Sequence, residues 1–364
     1  MYLYVLFYIL ALISFGELAK FRIKDNPNFY KVAYWGVVCV IIFLSTFRWE
    51  NGTDWSSYYE YYIQVGVSPE SGYLEFGYTW LCFINYQLVN GSYTFHLGIM
   101  ALLCILPVAK RIKQYSPFPF FSLFIWFCVI FAHLFPVRQT IAISLFVFSW
   151  KYIIERKWYF YLVTIIIATT FHYTALITLP IYFLWKKYIP AKYIMCAIAI
   201  VFVMAVTTSH LFSNLLFIFG GDFFESKLSY YMDQSNETFG MIYSPIQVMI
   251  RGCVNRSFYF FIPLFLLNAR RKNDYCLNAF FNMYLYSFIL FLITVPLSVA
   301  LARLTVFTDM AQIMLLPYIF TMRMNRGTVY IIVSLLIIYF FIRFNGIVMN
   351  YYDVYIPYKF CFFR

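Results

Sequence analysis

Apolar runs alternate with short polar breaks along the whole chain. A membrane span needs roughly 20 apolar residues, and backbone in lipid must satisfy its own hydrogen bonds, so runs of this length argue for helices over a β-barrel. The pattern predicts spans near 2–19, 32–47, 93–109, 117–133, 138–153, 193–218, 246–268, 276–299, 304–321 and 328–343, with two more sharing the run 158–185. The expected fold is an all-α polytopic membrane protein with about 12 transmembrane helices, forming a single transmembrane domain over 1–364.

Three stretches depart from the pattern. Residues 48–92 hold one helix of moderate hydrophobicity, beginning at Glu75, expected as an interfacial or re-entrant helix in an outer loop. The run 158–185 carries Phe171-His172-Tyr173-Thr174 at its middle. Each arm then has about 14 residues, or roughly 21 Å at 1.5 Å per residue, short of a hydrocarbon core of roughly 30 Å. The turn at His172 is therefore expected below the outer surface, in a cavity that opens outward, because irregular backbone at depth needs shielding by protein or water. Residues 220–245 form a large outer loop with four acids and one lysine.

Composition agrees: 63% of residues are hydrophobic, 12% are charged, and the mean hydropathy is +0.74. A net charge of +12 raises the question of a nucleic-acid partner, but its distribution excludes that. Eighteen of the 27 Lys and Arg residues fall in six short clusters between apolar runs, around Lys20–Lys31, Lys110–Lys113, Lys151–Lys157, Lys186–Lys192, Arg270–Lys272 and Arg323–Arg326. This is the positive-inside signal of cytoplasmic loops. It places the N-terminus, 48–92, 220–245 and the tail after Arg343 outside. Eight scattered cysteines show no metal spacing and read as small apolar residues. The N-terminal run lacks a basic leader and a small-residue cleavage site, so it reads as a first span.

Nine basic residues remain, seven of them Arg: Arg48, Arg138, Lys227, Arg251, Arg256, Arg303, Arg343, Lys359 and Arg364. By this topology all lie outside or in the outer part of a span, against the charge rule. Arginine offers a planar fork of donors that suits phosphate. Arg138 and Arg303 begin inward-running helices, where backbone N–H groups favour anions. Arg48, Arg138, Arg303 and Arg251 are thus candidate diphosphate ligands. Proton transfer has three candidates: His172, whose ordinary pKa lies near working pH, Asp54 and Glu75. Either acid could instead orient an arginine, and Arg251 could snorkel or form an internal ion pair. Trp55, Tyr58 and Tyr78 are candidate glycan-stacking rings; an interfacial aromatic belt is the alternative for the Tyr-rich segments 58–62 and 351–358, and fits 58–62 less well because its rings alternate with polar groups. His96, His133 and His210 read as structural. There is no Gly-rich nucleotide loop and no carboxylate-rich metal motif, so neither cofactor nor metal is expected, and any energy for synthesis comes from an activated, lipid-borne donor.

Several patterns occur in order: Arg48-x-x-x-Gly52-Thr53-Asp54-x-x-x-Tyr58, Glu75-x-Gly77-Tyr78, Arg138-Gln139 followed by Ala142, Phe171-His172-x-x-Ala175-Leu176, and Arg303-Leu304-Thr305-x-Phe307. Together they resemble the EpsG family of Wzy-type polysaccharide polymerases over nearly the whole chain. The resemblance implies a GT-C-like glycosyltransferase of the bacterial inner membrane with its site facing the periplasm. Donor and acceptor would be oligosaccharide repeat units on undecaprenyl diphosphate, which is released as each linkage forms, with inversion at C1. The product would be O-antigen, capsule or exopolysaccharide, and a chain-length regulator is an open partner. A flippase for lipid-linked sugars needs a similar cationic cavity but should show repeated halves. An acyltransferase should carry catalytic groups on the inner face too. A glycan ligase differs from a polymerase in its acceptor alone.

Overall fold

The computed structural model describes residues 2–19, 26–129, 137–185, 187–207, 245–296 and 299–363. The outer loop 220–245 (apart from its last residue), His133, His210, Lys227, Arg364 and parts of three expected spans lie outside the described residues. Among the described residues there is no strand, and Arg48 and Phe360 form an isolated antiparallel bridge.

The longer helices are α1 (Tyr2–Leu18), α2 (Pro27–Phe47), α3 (Trp55–Val67), α4 (Phe76–Leu88), α5 (Tyr93–Tyr115), α6 (Pro119–Val129), α7 (Arg138–Ile154) and α8 (Trp158–Phe171). After them come α9 (Ala191–Thr207), α10 (Pro245–Leu266), α11 (Tyr275–Thr294), α12 (Gln312–Ile319) and α13 (Arg326–Asn350). Polar residues start several of them by accepting an otherwise unpaired backbone N–H. Asn26 caps α2, Ser92 caps α5, Asp274 caps α11 and Asn325 caps α13. Among the described residues four helices, α2, α5, α11 and α13, are long and apolar enough to cross a membrane, with 20 to 25 residues each. At 1.5 Å per residue that is roughly 30–38 Å. With several shorter apolar helices beside them, the chain is an all-α polytopic membrane protein.

Two sequence expectations change. The segment 48–92 holds two helices, α3 and α4, instead of one. Gly, Ser and Glu among the aromatics hide the first, but Tyr61, Tyr62 and Val65 give it a buried face. Tyr61 stacks on Tyr78 of α4, and the Tyr61 hydroxyl meets Thr79 Oγ1 at 2.6 Å. The last span also runs past Arg343 to Asn350. Leu336, Phe340, Phe344 and Val348 bury one stripe at a spacing of four, which carries the helix on beyond the charge. The run 158–185 breaks at His172, as expected: α8 stops there, a 3-10 turn follows at Tyr173–Thr178, and the Tyr161 hydroxyl ties back to the Thr178 carbonyl at 2.6 Å.

The helices gather into two compact units, residues 1–179 with 320–364 and residues 180–319. In the first, α2 packs on α5, α5 on α7, and α7 on α8, while α6 lies against α1 and α13. Its charges separate to opposite ends. Arg48, Glu75 and Arg138 mark one end, where the Tyr4 hydroxyl meets Asn345 Oδ1 at 2.7 Å. Lys110, Arg111, Lys113 and Lys151 mark the other, where Glu17, buried, accepts from the Tyr30 hydroxyl and, at 3.0 Å, from the Phe121 amide. In the second unit α11 is the hub, packing on α9, α10 and α12. Asn282 of α11 donates to the Leu184 and Lys187 carbonyls at 2.8 and 2.9 Å.

Candidate functional site

The turn after α2 is built to hold Arg48 inward. Gly52 has φ 108° and Glu50 φ 52°, so the chain reverses within a few residues and brings the Asn51 carbonyl onto Arg48 Nη1 at 2.9 Å. The C-terminal tail closes over this turn. Trp49 N–H donates to the Lys359 carbonyl at 2.9 Å, the Asn51 amide donates to the same oxygen at 2.7 Å, and Lys359 Nζ pairs with Glu50 at 2.7 Å. The Tyr358 hydroxyl reaches back to the Leu44 carbonyl at 2.6 Å. Arg48 ends up only 3% exposed. Burial pulls its guanidinium below the usual pKa, and the surrounding Tyr93, Tyr358, Tyr78 and Tyr355 oppose that shift. An arginine remains charged even so.

A cavity of about 90 Å³ opens beside it, lined by Arg48, Asp54, Trp55, Tyr58, Val137 and Tyr355 together with Gly52 and Thr53. Trp55 is buried, and its indole N–H meets no acceptor among the described residues. Asp54 is exposed. Burial pushes the Tyr355 phenol up to about 12, so it stays a protonated donor at neutral pH.

Arg138 is the first residue of α7 and Glu75 the N-cap of α4, and the two form an ion pair. Glu75 is 4% exposed and Arg138 half-buried. Tyr58 lies within hydrogen-bonding reach of Arg138 and also lines the cavity, so it links the pair to the Arg48 turn. The end of α8, just before His172, meets α4. Here α4 crosses the end of α8 at Gly77, where an added Cβ would lie 2.3 Å from Thr170 Oγ1 and 2.9 Å from its carbonyl oxygen. Only glycine lets α4 and the end of α8 approach so closely. His172 is half-buried, with Nδ1 2.5 Å from Thr174 Oγ1.

Of the residues singled out from sequence, the first unit therefore brings Arg48, Asp54, Trp55 and Tyr58 around one cavity, with Glu75 and Arg138 joined to it through Tyr58. Tyr78 is a correction. It is 1% exposed, sandwiched among Tyr58, Tyr61 and His96, and offers no face to a glycan. Its spacing on α4 points it into the α3–α4 interface. His96 is buried too, with Nδ1 3.0 Å from the Asn85 amide.

A family model described as EpsG family matches residues 31–360, nearly the whole chain. The chain belongs to the EpsG family. This is a Wzy-type polymerase-like family, which places the chain in membrane polysaccharide biosynthesis. No curated protein and no solved structure matches.

In this EpsG chain the remaining two candidates, Arg251 and Arg303, belong to the second unit and are both exposed. Arg251 lies on α10. Arg303 lies in a 3-10 turn, Val299–Thr305, where sequence had placed it at the head of a regular span. That turn is held by Asp309, which sequence reasoning missed. Asp309 accepts from Arg256 Nη2 at 2.6 Å, from Thr305 Oγ1 at 3.0 Å and from Ser287 Oγ at 2.5 Å, while the Arg256 guanidinium stacks on Phe291, 3.8 Å from the ring centre. One signal could have found it: Asp309 is the single acid in the apolar run 304–321, and an ionisable group there needs a partner.

Proposed function

We propose that this EpsG-family protein is a polysaccharide polymerase that joins lipid-diphosphate-linked oligosaccharide repeat units on the outer face of the membrane. The observation that carries the reading is the cavity end of the first unit, which combines a buried arginine, a second arginine paired with a carboxylate, and a buried indole donor without an acceptor among the described residues. Such donors suit an anionic leaving group, and fixed donors aimed at developing charge are the largest common source of rate enhancement.

In the proposed reaction, an acceptor hydroxyl oxygen on one repeat unit attacks the anomeric carbon of the growing glycan. The bond from that carbon to the lipid diphosphate breaks, and the electron pair leaves on the diphosphate, taken as undecaprenyl diphosphate. Displacement in line inverts the anomeric centre. Arg48 and Arg138 hold the diphosphate. His172 takes the acceptor proton, or Asp54 does so. Glu75 orients Arg138, a role its ion pair supports over that of a free base. Arg303 and Arg251 stay proposed phosphate ligands on their charge and exposure, Arg303 also on the family pattern. No step uses a metal. The helix α4 exposes Phe76, Trp80, Ile84 and Leu88 at a spacing of four, an apolar stripe that suits a helix lying in the membrane interface. The polar end it borders is read as the periplasmic one of a bacterial inner membrane.

The test is turnover by the purified full-length protein with a chemically defined lipid-diphosphate-linked repeat unit. The expected products are oligomers of two or more units and free lipid diphosphate in matching amounts. Intact lipid-linked units moved across a vesicle bilayer, with no oligomer formed, would replace the polymerase reading with that of a flippase.

A further inference from the structure

At the other end of the first unit, residues of α2, α5 and α7 line a second, open cavity of about 420 Å³. We propose that it binds the phosphate of an anionic phospholipid headgroup. Among the described residues four cations line it, Lys110, Arg111, Lys113 and Lys151, with Trp35 and Tyr152 among its aromatic walls and no acid.

The cations have different parts to play. Arg111 is a fixed wall. Its Nε and Nη2 donate to the Phe148 carbonyl at 3.0 and 2.9 Å, its Nη1 to Gln114 at 2.6 Å, and its guanidinium lies over the Phe148 ring. Three of its five N–H donors are committed, and its charge is not neutralised by any of these partners. Lys113 is the open donor. Its ammonium is buried, has no hydrogen-bond acceptor among the described residues, and sits 5.2 and 5.4 Å from the Tyr34 and Trp35 ring centres. Three N–H donors held by ring faces alone leave room for a phosphate oxygen to improve the site. Lys110 is exposed at the rim. Lys151 has Glu155 at 3.6 Å, but that carboxylate is held more closely by Lys157 at 2.7 Å, and an exposed pair of this kind contributes little.

A lipid source is favoured over free phosphate by position and by the walls. Trp35 and Arg48 lie 13 residues apart on or at the end of α2, as do Arg138 and Lys151 on α7, so the two cavities are separated by roughly 20 Å along the same helices. The second cavity therefore lies toward the opposite membrane surface. Rings beside basic residues are the usual furniture of a headgroup layer, and basic pockets between spans take anionic headgroups. The apolar faces of Trp35, Phe148 and Tyr152 suit the first carbons of acyl chains.

Native mass spectrometry of the full-length protein would count bound lipid with phosphatidylglycerol and with phosphatidylcholine. Wild type is expected to retain phosphatidylglycerol selectively, and the K110Q/K113Q/K151Q variant to bind it on the order of a hundredfold more weakly, about fivefold per lysine. The corresponding triple Lys→Arg variant should keep binding. Thermal unfolding in phosphatidylcholine checks that the Gln variant is folded, and single Lys113→Gln carries the comparison if it is not. Equal retention of the two lipids, or unchanged binding by the Gln variants, would overturn the proposal. Displacement of the lipid by inorganic phosphate would assign the site to free phosphate and overturn the lipid assignment.

Discussion

Arg138 and Glu75 stand 63 positions apart and meet at the junction of α7 and α4. Each was legible singly, because neither fits the topological use of charge. Their pairing was not, since nothing in sequence spacing joins the head of one helix to the cap of another. If Glu75 serves Arg138, the two should couple: a double-mutant cycle with Glu75→Gln and Arg138→Gln should show an interaction of about 1–3 kcal/mol in stability. Effects that add within about 0.5 kcal/mol would mean that the pair is incidental. Trp55 gives a second test. Trp55→Phe keeps the ring and removes the unsatisfied N–H, so kcat/KM should fall about 10- to 100-fold if that donor meets a charged oxygen of the substrate. Full activity would restrict Trp55 to packing against Trp49 and Tyr59.

At the scale of elements, the long apolar helices and the break at His172 were readable because apolar run length and a single polar interruption are local signals. The α3–α4 pair was only half readable. Both helices have 13 residues, about 20 Å by helical rise, and their aromatic interface emerges only when the two are folded together. Gly77 is where this pair meets the end of α8. Gly77→Ala should destabilise the protein by about 1–3 kcal/mol through overpacking, read by thermal unfolding, and Thr170→Ala should restore only part of that, because the Thr170 carbonyl also stands in the way. An unaffected Gly77→Ala protein would show that the turn at His172 is not fixed by this contact. The clasp of the tail on the Arg48 turn was invisible from sequence, since Asn51 and Lys359 are 308 positions apart. Removing residues 356–364 should expose Arg48 and lower polymerisation at least tenfold with the protein still inserted, and wild-type turnover by the truncated protein would make the clasp dispensable.

For the whole molecule, the separation of charge along the first unit follows the sequence pattern closely. Lys110, Arg111, Lys113 and Lys151 collect at one end, and the surplus arginines Arg48 and Arg138 at the other, about a helix length away. Conventional basic loops and unconventional arginines are thus distinguished by place as well as by residue type, which is why subtracting the first set pointed to the second. Asn51, which completes the Arg48 turn, was illegible because an ordinary polar residue gains meaning only from its neighbours.

The most direct test of the polymerase reading is the length distribution of surface glycan in the native host, read as a gel ladder for wild type, a deletion, and Arg138→Ala and Arg48→Ala variants present at wild-type levels in the membrane. The expected result is a full ladder in wild type and glycans one repeat unit long in the deletion and in both arginine variants. Lipid-linked units trapped on the cytoplasmic side of the deletion strain, or a full ladder from the arginine variants, would contradict it.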